Sequence, residues 1–163
     1  MPNENPRRLS GMARLRARLF HAWFLLSRPM TLGVRGLVYD RAANSVFLIK
    51  HTYVPGWHLP GGGVETGETM LEALTRELRE EGNIEISAPP DLKANYFNAQ
   101  ASRRDHVALY LIEGFRQTAP KAADHEISGA SFFPLDALPD DATPATRRRI
   151  NEVLGDAELS AYW

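Results

Sequence analysis

The chain has 163 residues, 44% apolar and 24% charged, which suits one soluble domain with a packed core and argues against a second full domain. It has no cysteine, so disulfide scaffolds, thiolate nucleophiles and cysteine zinc sites are excluded, and any metal must be held by oxygen or imidazole. The formal charge of -1 hides an asymmetry: residues 1–36 hold Arg7, Arg8, Arg14, Arg16, Arg18, Arg28 and Arg35 against Glu4 alone, and the acidic remainder argues against extended nucleic acid as a partner.

In chain order, Met1 to Pro6 is polar and reads as disordered. Met12, Leu15, Leu19, Trp23 and Leu26 then recur at three- and four-residue intervals, which predicts an amphipathic helix over 9–26, ended near Arg28 by Pro29. A basic extension, 1–28, thus precedes a domain over 29–163. Its longest apolar run, Ala22 to Leu26, is too short to cross a bilayer, and no signal-peptide core with a cleavage site is present. Three roles stay open for it: packing on the domain or a partner subunit, as in a homodimer; peripheral contact with an anionic membrane; or targeting. The expected location is the cytoplasm, with or without that membrane contact.

Thr31 to Tyr39 and Ser45 to Lys50 read as strands around a hairpin turn at Asp40 to Asn44. A helix is predicted over Met70 to Glu81, started by a capping box of Thr69 and Glu72. Leu92 to Asn98 and His106 to Glu113 are further strands, and Phe132 and Phe133 open a short segment stopped by Pro134. Thr143 as cap, Pro144 in the first turn and Gly155 as stop predict a last helix to Leu154. Arg147, Arg148 and Arg149 lie on it, as a solvated face or as a polyphosphate patch. The order implies a mixed α/β domain rather than regular βαβ repetition.

The informative stretch is GWHLPGGGVETGETMLEALTRELREEGN, Gly56 to Asn83. At about 100° per residue, Glu77, Glu80 and Glu81 form an acidic stripe beside an apolar flank of Leu71, Leu74 and Leu78. Such crowding is destabilising by a few tenths of a kcal/mol per pair, and the carboxyl end of a helix disfavours negative charge further. A hard divalent cation reverses both penalties, and oxygen ligands fit Mg²⁺ or Mn²⁺. Mg²⁺ completes its shell with phosphate oxygens, so the spacing points to a phosphate ester or anhydride. Gly61, Gly62 and Gly63 let backbone approach the same place, where a carbonyl can join the shell.

Gly62, Glu68, Arg76-Glu77-Leu78 and Glu80-Glu81, at these spacings, resemble the signature box of the Nudix hydrolases. The resemblance implies an αβα sandwich with a mixed, partly antiparallel sheet, and hydrolysis of a nucleoside diphosphate linked to another moiety: a nucleoside triphosphate, nucleotide sugar or dinucleotide. It also implies that Glu77, Glu80 and Glu81 bind metal with the Gly61 carbonyl, and that Glu68 and Arg76 brace the helix against the loop. One departure is Asn83 where the pattern has glycine; asparagine tolerates the left-handed conformation such a helix end needs. The family often places a further catalytic acid in a loop, for which Glu126 is the candidate. Glu126 or Glu77 would take the proton of the attacking water, with Glu81 the third catalytic carboxylate.

Substrate contacts are less sharply drawn. Arg103 and Arg104 are candidates to clamp phosphates, Trp57 and Tyr53 to stack on a base; surface placement and packing stay open for each. The histidines show no metal-ligand spacing. A non-catalytic nucleotide-sensing module is the alternative to an enzyme, but it has no need of the complete glutamate set.

Overall fold

The computed structural model describes Met12, Phe20, Trp23 and residues 29–163, and the chain divides into two units, Met1–Met30 and Thr31–Trp163. The leader helix expected over 9–26 therefore lies, apart from those three exposed helical positions, outside the described residues, and so do the roles considered for it. Among the described residues, no helix is long and apolar enough to cross a membrane.

The second unit begins with strands β1 (Thr31–Asp40) and β2 (Ser45–His51), joined by the expected hairpin. Helix α1 (Met70–Gly82) follows, then β3 (Ile84–Ile86), β4 (Asp91–Phe97), β5 (Asp105–Ile112), β6 (Phe115–Gln117), β7 (Ile127–Pro134) and helix α2 (Pro144–Leu154). The main sheet has the order β4-β5-β1-β2-β7; β1 runs parallel to β5 and the other pairs are antiparallel. β3 and β6 pair in a separate two-stranded ribbon. Three-residue strands are too short to show alternation, so neither is legible from the residues alone.

Strand alternation divides the core into two layers. On one face, Val34, Val38, Phe47 and Ile49 pack with Ala73, Leu74 and Leu78 of α1. On the other, Leu37, Val46, Leu48 and Leu109 pack with Ile150 of α2. The result is the anticipated sandwich. Leu71 departs from expectation: it is 47% exposed, at the margin beside Ile86, Pro89 and Pro90, while Ala73 takes a buried place. At Gly36 a side chain would press on Leu74, Leu78 and Ile112, so glycine there lets α1 seat closely on β1.

Arg149 also departs from both readings of its arginine run. It is fully buried, stacked 4.1 Å over the Tyr96 ring, and it donates to Glu152 at 2.6 Å and to the Tyr162 carbonyl at 2.8 Å. Tyr96 in turn donates to Glu152 at 2.9 Å, so at Arg149 a partnered charge network stands in place of a solvated side chain, while Arg147 and Arg148 are exposed as a solvated face would have them.

Thr69 and Glu72 form the predicted capping box, and α1 ends at Asn83 in the left-handed region, φ 54°. The Asn83 N–H returns to the Arg79 carbonyl at 3.0 Å, and Gly82 is left buried against Phe47 and Ile84. Replacing Asn83 with alanine is expected to cost about 1 kcal/mol in a urea melt, whereas Asn83→Gly should match or exceed the wild type.

Candidate active site

The site forms because the loop after β2 turns back along β1. Pro60 and Gly62 carbonyls accept from the Gly36 and Val34 N–H groups, each at 2.9 Å, in place of a neighbouring strand. Gly61 lies between them at φ 134°, and a Cβ there would strike the Val34 carbonyl. Among the described residues, its own carbonyl accepts no hydrogen bond. Its N–H donates to Oε2 of Glu81 at 2.7 Å, which fixes the last turn of α1 to the loop. A Cβ on Gly62 would fall on the Glu77 carboxylate.

Arg76 makes the brace that the motif implies. Its Nε and Nη2 donate to the two oxygens of Glu68 at 2.9 and 3.1 Å, Nη1 reaches Glu77 at 2.6 Å, and Nη2 meets the Gly63 carbonyl at 3.2 Å. These bonds hold Glu68 below the usual carboxylate range and Arg76 well above its ordinary value. Glu80 is more exposed and lies 3.6 Å from Arg76.

The glutamates thus share one end of α1 without converging on one point. Among the described residues, no group of three His, Asp or Glu side chains is gathered as a metal cage. Arg76 takes Glu77 while the Gly61 N–H takes Glu81.

Glu81 is 8% exposed, and burial pushes its carboxyl up from its ordinary 4.5 to about 7. The Gly61 N–H and the Arg35 charge pull against this, while Glu77 and Glu126 add to it. Glu126 precedes Ile127, which pairs with His51 at the end of β2; the Glu126 carbonyl accepts from the Thr52 N–H at 2.9 Å, and its side chain is exposed. Its loop therefore borders the same cleft.

The substrate candidates separate. Tyr53 is 71% exposed, 5.0 Å from the His51 ring. Trp57 packs edge-on against Phe133 at 4.7 Å, beneath Gly129, as a core residue does. Arg103 and Arg104 are exposed in the turn leading into β5, where the Arg104 carbonyl accepts from the Thr31 N–H at 3.0 Å.

Three neighbours of the site escaped the sequence reading. His51 Nε2 lies 3.8 Å from Glu81 Oε1, and the His51 and His58 rings are 5.8 Å apart. Both imidazoles are held below their usual value, chiefly by burial and also by the charge of Arg35. Arg35 sits in β1 and belongs with the site rather than with the basic leader. Its one sequence signal was a lone charge inside the apolar run of GVRGLV.

The NUDIX domain pattern matches residues 29–153. The chain is 32% identical over 107 residues to the human 8-oxo-dGDP phosphatase NUDT18, covering 66% of this chain and 31% of that protein. It is 46% identical over 49 residues to the RNA pyrophosphohydrolase of Xanthomonas campestris pv. campestris (strain B100), covering 30% of this chain and 24% of that one. The chain therefore spans about a third or less of the length of these two relatives. Among solved structures, the MutT NUDIX hydrolase of Burkholderia pseudomallei superposes with a TM-score of 0.63 at 26% identity, over 76% of this chain and 97% of that one.

Because the Glu81 carboxyl titrates higher in the folded than in the unfolded chain, its contribution to stability is complete below pH 4.5 and lost as pH rises through about 7. In chelator, the melting temperature should fall across this window, and Glu81→Gln should flatten that fall. An equal slope in both proteins would contradict the burial of this carboxyl.

Proposed function

The chain belongs to the Nudix hydrolase family, and we propose that it acts on phosphoric anhydride bonds, its substrate being a nucleoside diphosphate joined to a further group and cleaved with Mg²⁺ or Mn²⁺. The observation that carries this reading is the uncommitted Gly61 carbonyl, held by the Gly61–Glu81 bond at the end of α1 where Glu77 and Glu80 also lie. These donors are all hard oxygens, and they fit such a cation once Glu77 turns from Arg76. Glu77, Glu80, Glu81 and the Gly61 carbonyl would hold it. Bound there, the cation supplies charge neutralisation and a water of lowered pKa.

The chain's own groups do the rest. Arg76 and Glu68 keep α1 and the glycine loop in register, so the carboxylates have a fixed base to swing from. The oxygen of a water forms a bond to one phosphorus, the bridging P–O bond breaks, and the leaving phosphate carries away the bond electrons. The water's proton passes to a carboxylate oxygen of Glu126 or Glu77. Glu126 has the advantage of exposure, since Glu77 is engaged by Arg76.

Tyr53 is the proposed stacking partner of the base, supported by its exposure, and Trp57 packs against the core instead. Arg103 and Arg104 remain candidates for outer phosphate contacts. Of the chemistries named for the relatives, a free nucleotide suits the acidic body better than an RNA end. Such a substrate implies action in the cytoplasm. Residues 9–26 keep their proposed role as a contact for a second copy or a membrane surface.

Incubation with Mg²⁺ and a panel of nucleoside triphosphates, nucleotide sugars and dinucleotides, with products identified by mass, should give two phosphorylated products from at least one class. Glu81→Gln should lower kcat by roughly 100-fold or more. Undiminished turnover in that variant would remove the proposed centre.

A further inference from the structure

Arg35 is a cation set down where the fold supplies it with no acceptor. Among the described residues none of its guanidinium donors makes a hydrogen bond, and Nη1 is buried without a partner. The other cations around the cleft are satisfied: Arg76 by Glu68, Glu77 and the Gly63 carbonyl, and Lys50 by Asp141 at 2.7 Å. An arginine desolvated without a partner is costly, and a fold has no reason to keep one that only fills space.

Its surroundings define what would complete it. Strand alternation gives Arg35 the face of Leu37, opposite Val34, on the stretch of β1 that the glycine loop flanks. Glu81 and Glu77 are the strongest charges acting on it, and Tyr53 is also within reach of its field. Glu81 is not its hydrogen-bond acceptor: Oε2 takes the Gly61 N–H, and Oε1 lies toward His51. His51 and His58 lie beside it, and His51 Nδ1 is itself buried without a partner.

We propose that Arg35 is a phosphate-binding residue, presenting its planar fork to the non-bridging oxygens of a substrate phosphate held between the α1 carboxylates and Tyr53. The fork matches two phosphate oxygens at once, and the incoming anion supplies the acceptor that the fold withholds. This assignment rests on the hydrolase reading and deepens it: the cleft meets its substrate's negative charge with one fixed guanidinium from the sheet as well as with cations at the helix.

The test uses the full chain, with inorganic pyrophosphate as probe. Calorimetry measures pyrophosphate affinity in Mg²⁺ and, separately, Mg²⁺ affinity alone, for the wild type, Arg35→Met and Arg35→Lys. Arg35→Met should weaken pyrophosphate binding roughly 10- to 100-fold, the loss expected for a charge-assisted hydrogen bond. Arg35→Lys should restore part of it. Mg²⁺ affinity should not fall in either variant, because no hydrogen bond to the carboxylates is lost and in Arg35→Met a cation that repels Mg²⁺ is removed. Unchanged pyrophosphate affinity in Arg35→Met, or a parallel loss of Mg²⁺ affinity showing that Arg35 only steadies the glutamates, overturns the proposal. If Arg35→Met does not fold, Arg35→Lys alone decides, because its loss of the fork should still weaken pyrophosphate measurably. Failure of the wild type to cleave any member of the nucleotide panel would instead sink the hydrolase reading, and the two failures are told apart by which protein is deficient.

Discussion

The hydrogen bond from the Gly61 N–H to Glu81, 2.7 Å across twenty residues of sequence, is the constraint on which the rest of this structure depends. It requires the loop to come up to the last turn of α1, and that approach requires glycine at positions 61 and 62, where any Cβ would meet backbone or carboxylate. It also buries Glu81, and burial gives that carboxyl its unusual affinity for a proton. Among the described residues, the Gly61 carbonyl is left without a hydrogen-bond donor. One donor thus sets the position of the central glutamate while opposing the protonation that burial favours.

Around that bond the charges fall into two groups with different physics. Arg76, Glu68 and Glu77 are mutually satisfied, and they hold the helix to the loop much as a strut would. Arg35 and His51 each keep a buried nitrogen without a partner. The three glutamates lie apart because Arg76 holds Glu77 and Glu80 while the Gly61 N–H holds Glu81, and like charges at this spacing repel.

The sequence made the scaffold of the site legible because short-range rules govern it. Thr69, Glu72 and Asn83 mark both ends of α1 through capping geometry, and the 3.6-residue period places Glu77, Glu80 and Glu81 at one end of one helix. The long strands showed for the same reason. What stayed hidden depends on contacts far apart in the chain. Arg35 looked like one more arginine of the leader until β1 was paired with the glycine loop, and Arg149 looked solvated until Tyr96 and the C-terminal residues closed over it. Leu71, Leu74 and Leu78 share a flank by angle, yet only a neighbouring ribbon decides that Leu71 stays at the margin.

The C-terminal residues carry a consequence of their own. Phe97 donates to the Ala161 carbonyl at 2.9 Å and accepts from the Trp163 N–H at 3.1 Å, so the chain's end lies along the outer margin of β4 as a stub of an extra strand. That margin is thereby partly closed to templating by another molecule, and any continuous sheet shared between copies would form more readily through β7. The same short segment closes the Arg149 network, because the Tyr162 carbonyl accepts from Arg149 and the Trp163 ring stands edge-on to Tyr96, so loosening the segment would loosen that lock as well.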